Sequence, residues 1–143
     1  MIMCDFCALS PEQRRTMLRK FHGLLAPGGA LLLDVYSLAA FAGRKELATC
    51  EINLMDGFWS PHRYYGFLDT FKYDEEKVVL DKFTIVERAR TRTVYNWLQY
   101  FSPGTLGDEL NECGLDVEKL YADVAGSPYE SGHTEFAVVV RKR

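Results

Sequence analysis

The chain has 143 residues, 48% of them apolar and 26% charged, which fits one globular domain with a sizeable core. Its net charge of −3 gives no electrostatic case for nucleic acid or an anionic membrane as a partner. No apolar run approaches the roughly 18 residues of a spanning helix, and the N-terminus has no basic lead and is interrupted by Asp5, unlike a signal peptide.

The expected compartment is therefore the cytoplasm, where the four cysteines remain reduced thiols. In chain order, residues 1–6 read as a short buried strand. Ser10-Pro11-Glu12-Gln13 then predicts a helix start, with Ser10 as cap, Pro11 in the first helical position and Gln13 reaching back. Met17, Leu18, Phe21, Leu24 and Leu25 follow at helical spacing. Pro27-Gly28-Gly29 stops this helix, and Ala30-Leu31-Leu32-Leu33-Asp34-Val35 is an apolar run of the kind found inside parallel sheets. The strand, helix, strand order suggests a right-handed parallel crossover.

Residues 38–48 are weakly helical. From about 50 to 101 the pattern changes to antiparallel strands rich in aromatics, with the polar turn Asp74-Glu75-Glu76-Lys77 between strands at 64–73 and 78–88. Residues 91–101 alternate most clearly, placing Tyr95 and Trp97 on one face and Asn96 on the other. Ser102-Pro103 repeats the helix start, and Leu106, Leu110 and Cys113 share a helical face before Gly114. Two strands follow, at 115–121 and 135–140, joined by a loop rich in Gly, Ser and Pro. The basic tip at 141–143 reads as a solvated terminus.

Chemistry-bearing motifs are sparse. Cys4-x-x-Cys7 has no second pair to complete a zinc site, Cys50 and Cys113 are isolated, and His22, His62 and His133 are scattered. No metal is expected, and Cys4 reads as a small buried apolar residue, with a redox pair beside a helix start as the alternative. Arg88, Arg90 and Arg92 are two apart. On a regular strand they would share one face, either as an exposed edge or as a clamp for an anionic group.

Four stretches in order, "CDFCALS", "LLAPGGALLLDV", "YNWLQYFSPGTL" and "ELNECGLDVEKLY", resemble the C-terminal half of a class I S-adenosylmethionine-dependent methyltransferase. The resemblance implies an α/β fold. It would be the C-terminal half of a Rossmann-like sheet, strands 4-5-7-6, forming a single partial domain over residues 1–143 with an antiparallel, aromatic-rich β insertion at about 50–101. It implies S-adenosylmethionine as cofactor and a small-molecule methyl acceptor. The chain departs from that family by lacking the glycine-rich turn after the first strand and the acidic residue at the end of the second strand that holds the ribose. No Gly-x-Gly occurs in it, and Gly28-Gly29 lies between a helix and a strand, whereas a cofactor turn runs from a strand into a helix. The first three strands of the family's sheet are thus expected to be missing, through shortening of the product or because a separate chain supplies that N-terminal half, and the chain is expected to be inactive alone. The alternative is a non-catalytic half-domain that self-associates or binds a ligand.

Residues 1–4 would be the family's fourth strand, with Asp5 and Phe6 at its carboxyl tip facing the cofactor. As an unprotected apolar edge, residues 1–6 would pair with a second copy to form a homodimer. Tyr36 at the rim, and His62, Tyr64, Tyr65, Tyr95 and Trp97 in the insertion, are the candidate acceptor-binding residues. Aromatic ring faces there suit a cationic amine; the competing role is packing of the insertion. Methyl transfer asks mainly for alignment and exclusion of water, so no catalytic triad is expected and no catalytic residue is assigned.

Overall fold

Two Ser-Pro steps start the two longer helices. Helix α1 spans Pro11–Leu24 and is closed by a reciprocal capping box, in which Ser10 Oγ accepts from Gln13 N–H and Gln13 Oε1 accepts from Ser10 N–H. In the helix Pro103–Glu112 the same arrangement joins Ser102 and Thr105. The computed structural model describes every residue from Met1 to Arg143. The chain divides into two units, one made of Met1–Gly43 and Gln99–Arg143, the other of Arg44–Leu98.

In the first unit, strand β1 (Ala30–Tyr36) is followed by the short helix α2 (Leu38–Gly43). The chain returns to this unit for α3 (Pro103–Glu112) and two further strands, Leu115–Tyr121 and Glu135–Lys142. The Glu135–Lys142 strand lies in the middle, antiparallel to both neighbours, with Leu33 opposite Val138 and Val117 opposite Val140. Consecutive buried residues in β1 (Leu33, Asp34, Val35) and in the middle strand (Phe136, Ala137, Val138) mean that both sheet faces are covered. Leu18 of α1 and Leu106 and Leu110 of α3 are fully buried with them. Arg14 of α1 is buried too. Its guanidinium grips the Glu109 carboxylate with Nη2 at 2.6 Å and Nε at 2.9 Å, and lies 5.3 Å from the Phe101 ring centre and 5.8 Å from that of Phe6. The pair ties α1 to α3 by charge-assisted hydrogen bonds in a dry setting.

The expected α/β fold is present, with one correction within it. Residues 1–4 do not form a strand, so the sheet has three strands in the relative order 5-7-6 rather than four. Met3 and Cys4 sit in the left-handed backbone region, at φ 68° and 55°, and a 3-10 helix occupies Asp5–Ala8. The physical cause is that a side chain takes the backbone donors a neighbouring strand would need. A strand needs partners for its N–H and C=O groups, and here the N–H groups of Met3 and Cys4 are taken by the Asp34 carboxylate at 3.1 and 2.9 Å. The N-terminal ammonium donates to Leu32 O at 2.8 Å, and Tyr36 N–H donates to Cys7 Sγ at 3.3 Å. The N-terminal segment thus covers the outer edge of β1. No parallel crossover forms, and the apolar run of β1 reflects burial on both faces rather than parallel pairing.

The second unit is a four-stranded antiparallel sheet of β2 (Leu47–Ile52), β3 (Tyr65–Tyr73), β4 (Val78–Val86) and β5 (Thr91–Gln99), in that spatial order. The weak helix expected to 48 stops at Gly43, and Leu47 already belongs to β2. One sheet face packs a small core of Leu54, Tyr64 and Ile85, with Trp59, Leu68 and Phe83 against it. Gly66 makes this possible. A methyl group built on it would lie 2.4 Å from Leu54 Cβ. On the same side the buried Asp81 is satisfied by Arg44 Nη2 at 2.6 and 2.7 Å and by Thr70 Oγ1–H at 2.6 Å. No helix of either unit is long and apolar enough to cross a membrane.

Candidate functional site

The residues expected at the cofactor rim have different surroundings. Asp5 is exposed, but Phe6 is fully buried, its ring 5.9 Å from that of Phe101. Phe6 is therefore a core residue, a correction to its expected place on the rim. Tyr36 is half-buried, its ring 5.7 Å from that of Tyr100. Burial, followed by the neighbouring Cys4 and Cys7, raises its hydroxyl pKa above the usual phenol value. The Cys-x-x-Cys thiols are both buried. Burial, then the Asp34 charge, pushes Cys4 well up, and burial pushes Cys7 up to about 12. Neither has the thiolate character that redox or metal chemistry uses. No three His, Cys, Asp or Glu side chains come together in a way that could hold a metal ion.

S-adenosylmethionine, the cofactor implied by the resemblance, does not find its donor set in these residues. A nucleotide-like ligand at a helix start needs free backbone N–H groups. At α1 one of them is taken by the Ser10 hydroxyl and at α3 one by the Ser102 hydroxyl, each inside a closed capping box. At the start of α2, Ser37 Oγ accepts from Ala39 and Ala40. The Asp34 carboxylate, which could otherwise accept from a ribose hydroxyl, holds Met3 and Cys4.

In the second unit the aromatic candidates separate. Tyr64 is buried and donates its hydroxyl to Leu54 O; its backbone N–H donates to Asn53 Oδ1 and its carbonyl accepts from Asn53 N–H. It holds the 53–64 loop on the sheet, which corrects its expected place in a pocket. Tyr65, one residue later, has the opposite strand parity and is 49% exposed. Tyr95 and Trp97 share a face, as their alternation requires, and are 58% and 46% exposed. The Trp97 ring lies 5.7 Å from that of Tyr73, so Tyr65, Tyr95 and Trp97 all lie on the outer face of this sheet.

His62 stands apart from these. It lines a cavity of about 560 Å³ with Arg63, Glu87, Arg88, Ala89 and Arg90. Arg88 and Arg90 belong to the turn joining β4 and β5, closed by Glu87 N–H donating to Arg90 O at 2.9 Å. Arg92 is in β5 and turns to Trp59, donating to its carbonyl oxygen and lying 5.7 Å over its ring. The three arginines therefore do not form a single row, because the strand starts only at Thr91. Arg63 was not singled out in the sequence; the only signal for it is a basic residue beside His62 just ahead of a strand.

No protein-family model matches the chain, and no curated protein sequence matches it. Among solved structures it is similar to the CcbJ methyltransferase from Streptomyces caelestis, at 16% identity and a TM-score of 0.69, covering 99% of this chain and 55% of that one. An S-adenosylmethionine-dependent methyltransferase from Clostridium acetobutylicum gives 8% identity and a TM-score of 0.68, over 99% and 56% of the two chains. The glycopeptide N-methyltransferase MtfA, solved with S-adenosylmethionine, gives 19% and 0.52, over 99% and 55%. The chain thus spans about half the length of the structures it matches. Its fold is that of roughly half of an S-adenosylmethionine-dependent methyltransferase.

Proposed function

We propose that this chain is the acceptor-binding part of an S-adenosylmethionine-dependent methyltransferase acting on a small molecule, and that an N-terminal half supplies the glycine-rich cofactor turn. The observation that carries this reading is the coverage: nearly the whole chain superposes on methyltransferases, yet it accounts for only about 55% of them. The cofactor, when bound, supplies an electrophilic methyl group. The chain's own contribution is to orient the acceptor and exclude water. Asp5 is the exposed group proposed to face the cofactor. Tyr65, Tyr95 and Trp97, which share one face of the second sheet, are those proposed for the acceptor. Exposed ring faces favour a cationic amine. The test is transfer of labelled methyl from S-adenosylmethionine to a panel of small amines and alcohols. No transfer is expected from the chain alone, and transfer is expected once a polypeptide supplying the first three strands of this fold is added. Turnover by the chain alone would overturn the partial-domain reading.

A second reading is a half-domain that self-associates without catalysis. It is favoured by the outer face of the second sheet, where Ile52, Phe67, Phe71 and Tyr73 join the exposed Tyr65, Tyr95 and Trp97, a larger apolar surface than scattered exposed residues make. Sedimentation over a concentration series tests it: dimers support self-association, and a monomer at high concentration removes it.

A further inference from the structure

We propose that the cavity beside the turn joining β4 and β5 binds the phosphate group of a small phosphorylated ligand, through Arg63, Arg88 and His62. Three arginines and one carboxylate line it, a local excess of positive charge on a chain whose net charge is −3. The one carboxylate is already engaged. Glu87 accepts from Ser60 Oγ–H at 2.6 Å and from Arg90 Nε–H at 2.5 Å. These two hydrogen bonds, that from Ser60 first, lower its pKa from the ordinary carboxylate value. Arg63 and Arg88 have no carboxylate partner, since the ion pairs of this sheet use Arg44, Lys72, Lys82 and Arg90.

The two sides of the cavity are also fixed to each other. Ser60 is buried, accepts from His62 N–H at 3.1 Å and donates to Glu87. The His62-Arg63 segment and the Glu87–Arg90 turn are thereby set against one another before any ligand arrives, which lowers the cost of binding. Two guanidinium forks and an imidazole arriving from two segments suit a tetrahedral dianion, which offers three peripheral oxygens. A carboxylate fills only one fork. The volume of about 560 Å³ leaves room for more of the ligand than its phosphate.

The test does not depend on methyl transfer, so its failure leaves the methyltransferase reading intact. The full chain is titrated with inorganic phosphate at pH 7.5 and constant ionic strength, and the arginine Nε–H resonances are followed by NMR. Saturable shifts are expected at Arg63 and Arg88, with acetate binding about tenfold more weakly. The double variant Arg63→Gln/Arg88→Gln should weaken phosphate about tenfold or more. Arg15→Gln/Arg19→Gln, with the same loss of charge on exposed residues of α1, should leave it unchanged. Glu87→Gln, which frees Arg90, should tighten it. Shifts that do not saturate, acetate equal to phosphate, or equal losses in the two double variants would overturn the proposal.

Discussion

The Asp34 carboxylate accepts the backbone N–H of Cys4 at 2.9 Å, and the neighbouring N–H of Met3 at 3.1 Å. This one side chain takes the place of a strand partner for the N-terminus, and it is itself buried. Asp34→Ala leaves two donors without an acceptor, beside residues already in the left-handed region. The expected loss is about 3 kcal/mol, read as a lower urea midpoint together with faster amide exchange at Met3 and Cys4. Asp34→Asn, which keeps one acceptor oxygen, should lose about half as much. An unchanged midpoint and unchanged exchange would show that the N-terminal segment is held by other contacts.

Among the glycines, Gly66 is the one against which a neighbour, Leu54, sits closest. Ala at position 66 would place its Cβ 2.4 Å from Leu54 Cβ, and neither strand nor loop can yield without disturbing Tyr64 and Ile85. Gly66→Ala should cost about 2–3 kcal/mol by overpacking. In a Leu54→Gly background, where the contacted Cβ is gone, the added cost should fall. That non-additivity identifies the contact. Strictly additive losses would place the strain elsewhere.

The thiols separate by burial. Cys50 is exposed, whereas Cys4, Cys7 and Cys113 are buried. At pH 8 a thiol reagent should modify one cysteine quickly, and the others only on unfolding, since reaction requires thiolate. Cys7 titrates at about 12 in the folded chain against an ordinary value of 9.0. As pH rises from 9 towards 12 the unfolded chain releases this proton while the folded chain keeps it, so stability falls across that window. Cys7→Ala should flatten the alkaline limb of a stability-against-pH curve. An identical limb would assign the alkaline loss to other groups.

Helix starts were legible because a Ser-Pro step with a polar residue three positions on settles the local backbone by itself, as at Ser10 and Ser102. The alternation of residues 91–99 likewise fixed the shared face of Tyr95 and Trp97. The segment at residues 1–4 was not legible. A short apolar run fits a strand equally well, and its actual partner, Asp34, is 30 residues away. Tyr64 and Tyr65 have opposite roles because one residue of parity separates the two sheet faces, and parity is known only once the strand start is known. The arginine cluster failed as a row for the same reason: the turn ends, and the strand begins, between Arg90 and Arg92.

The most direct measurement is calorimetric titration of the purified 143-residue chain with S-adenosylhomocysteine. The chain lacks a Gly-x-Gly turn, and the starts of its two longer helices are closed by their own capping boxes. No binding heat is therefore predicted at high micromolar ligand. One-to-one binding would contradict the account, by showing that this half of the fold completes a cofactor site without the glycine-rich turn.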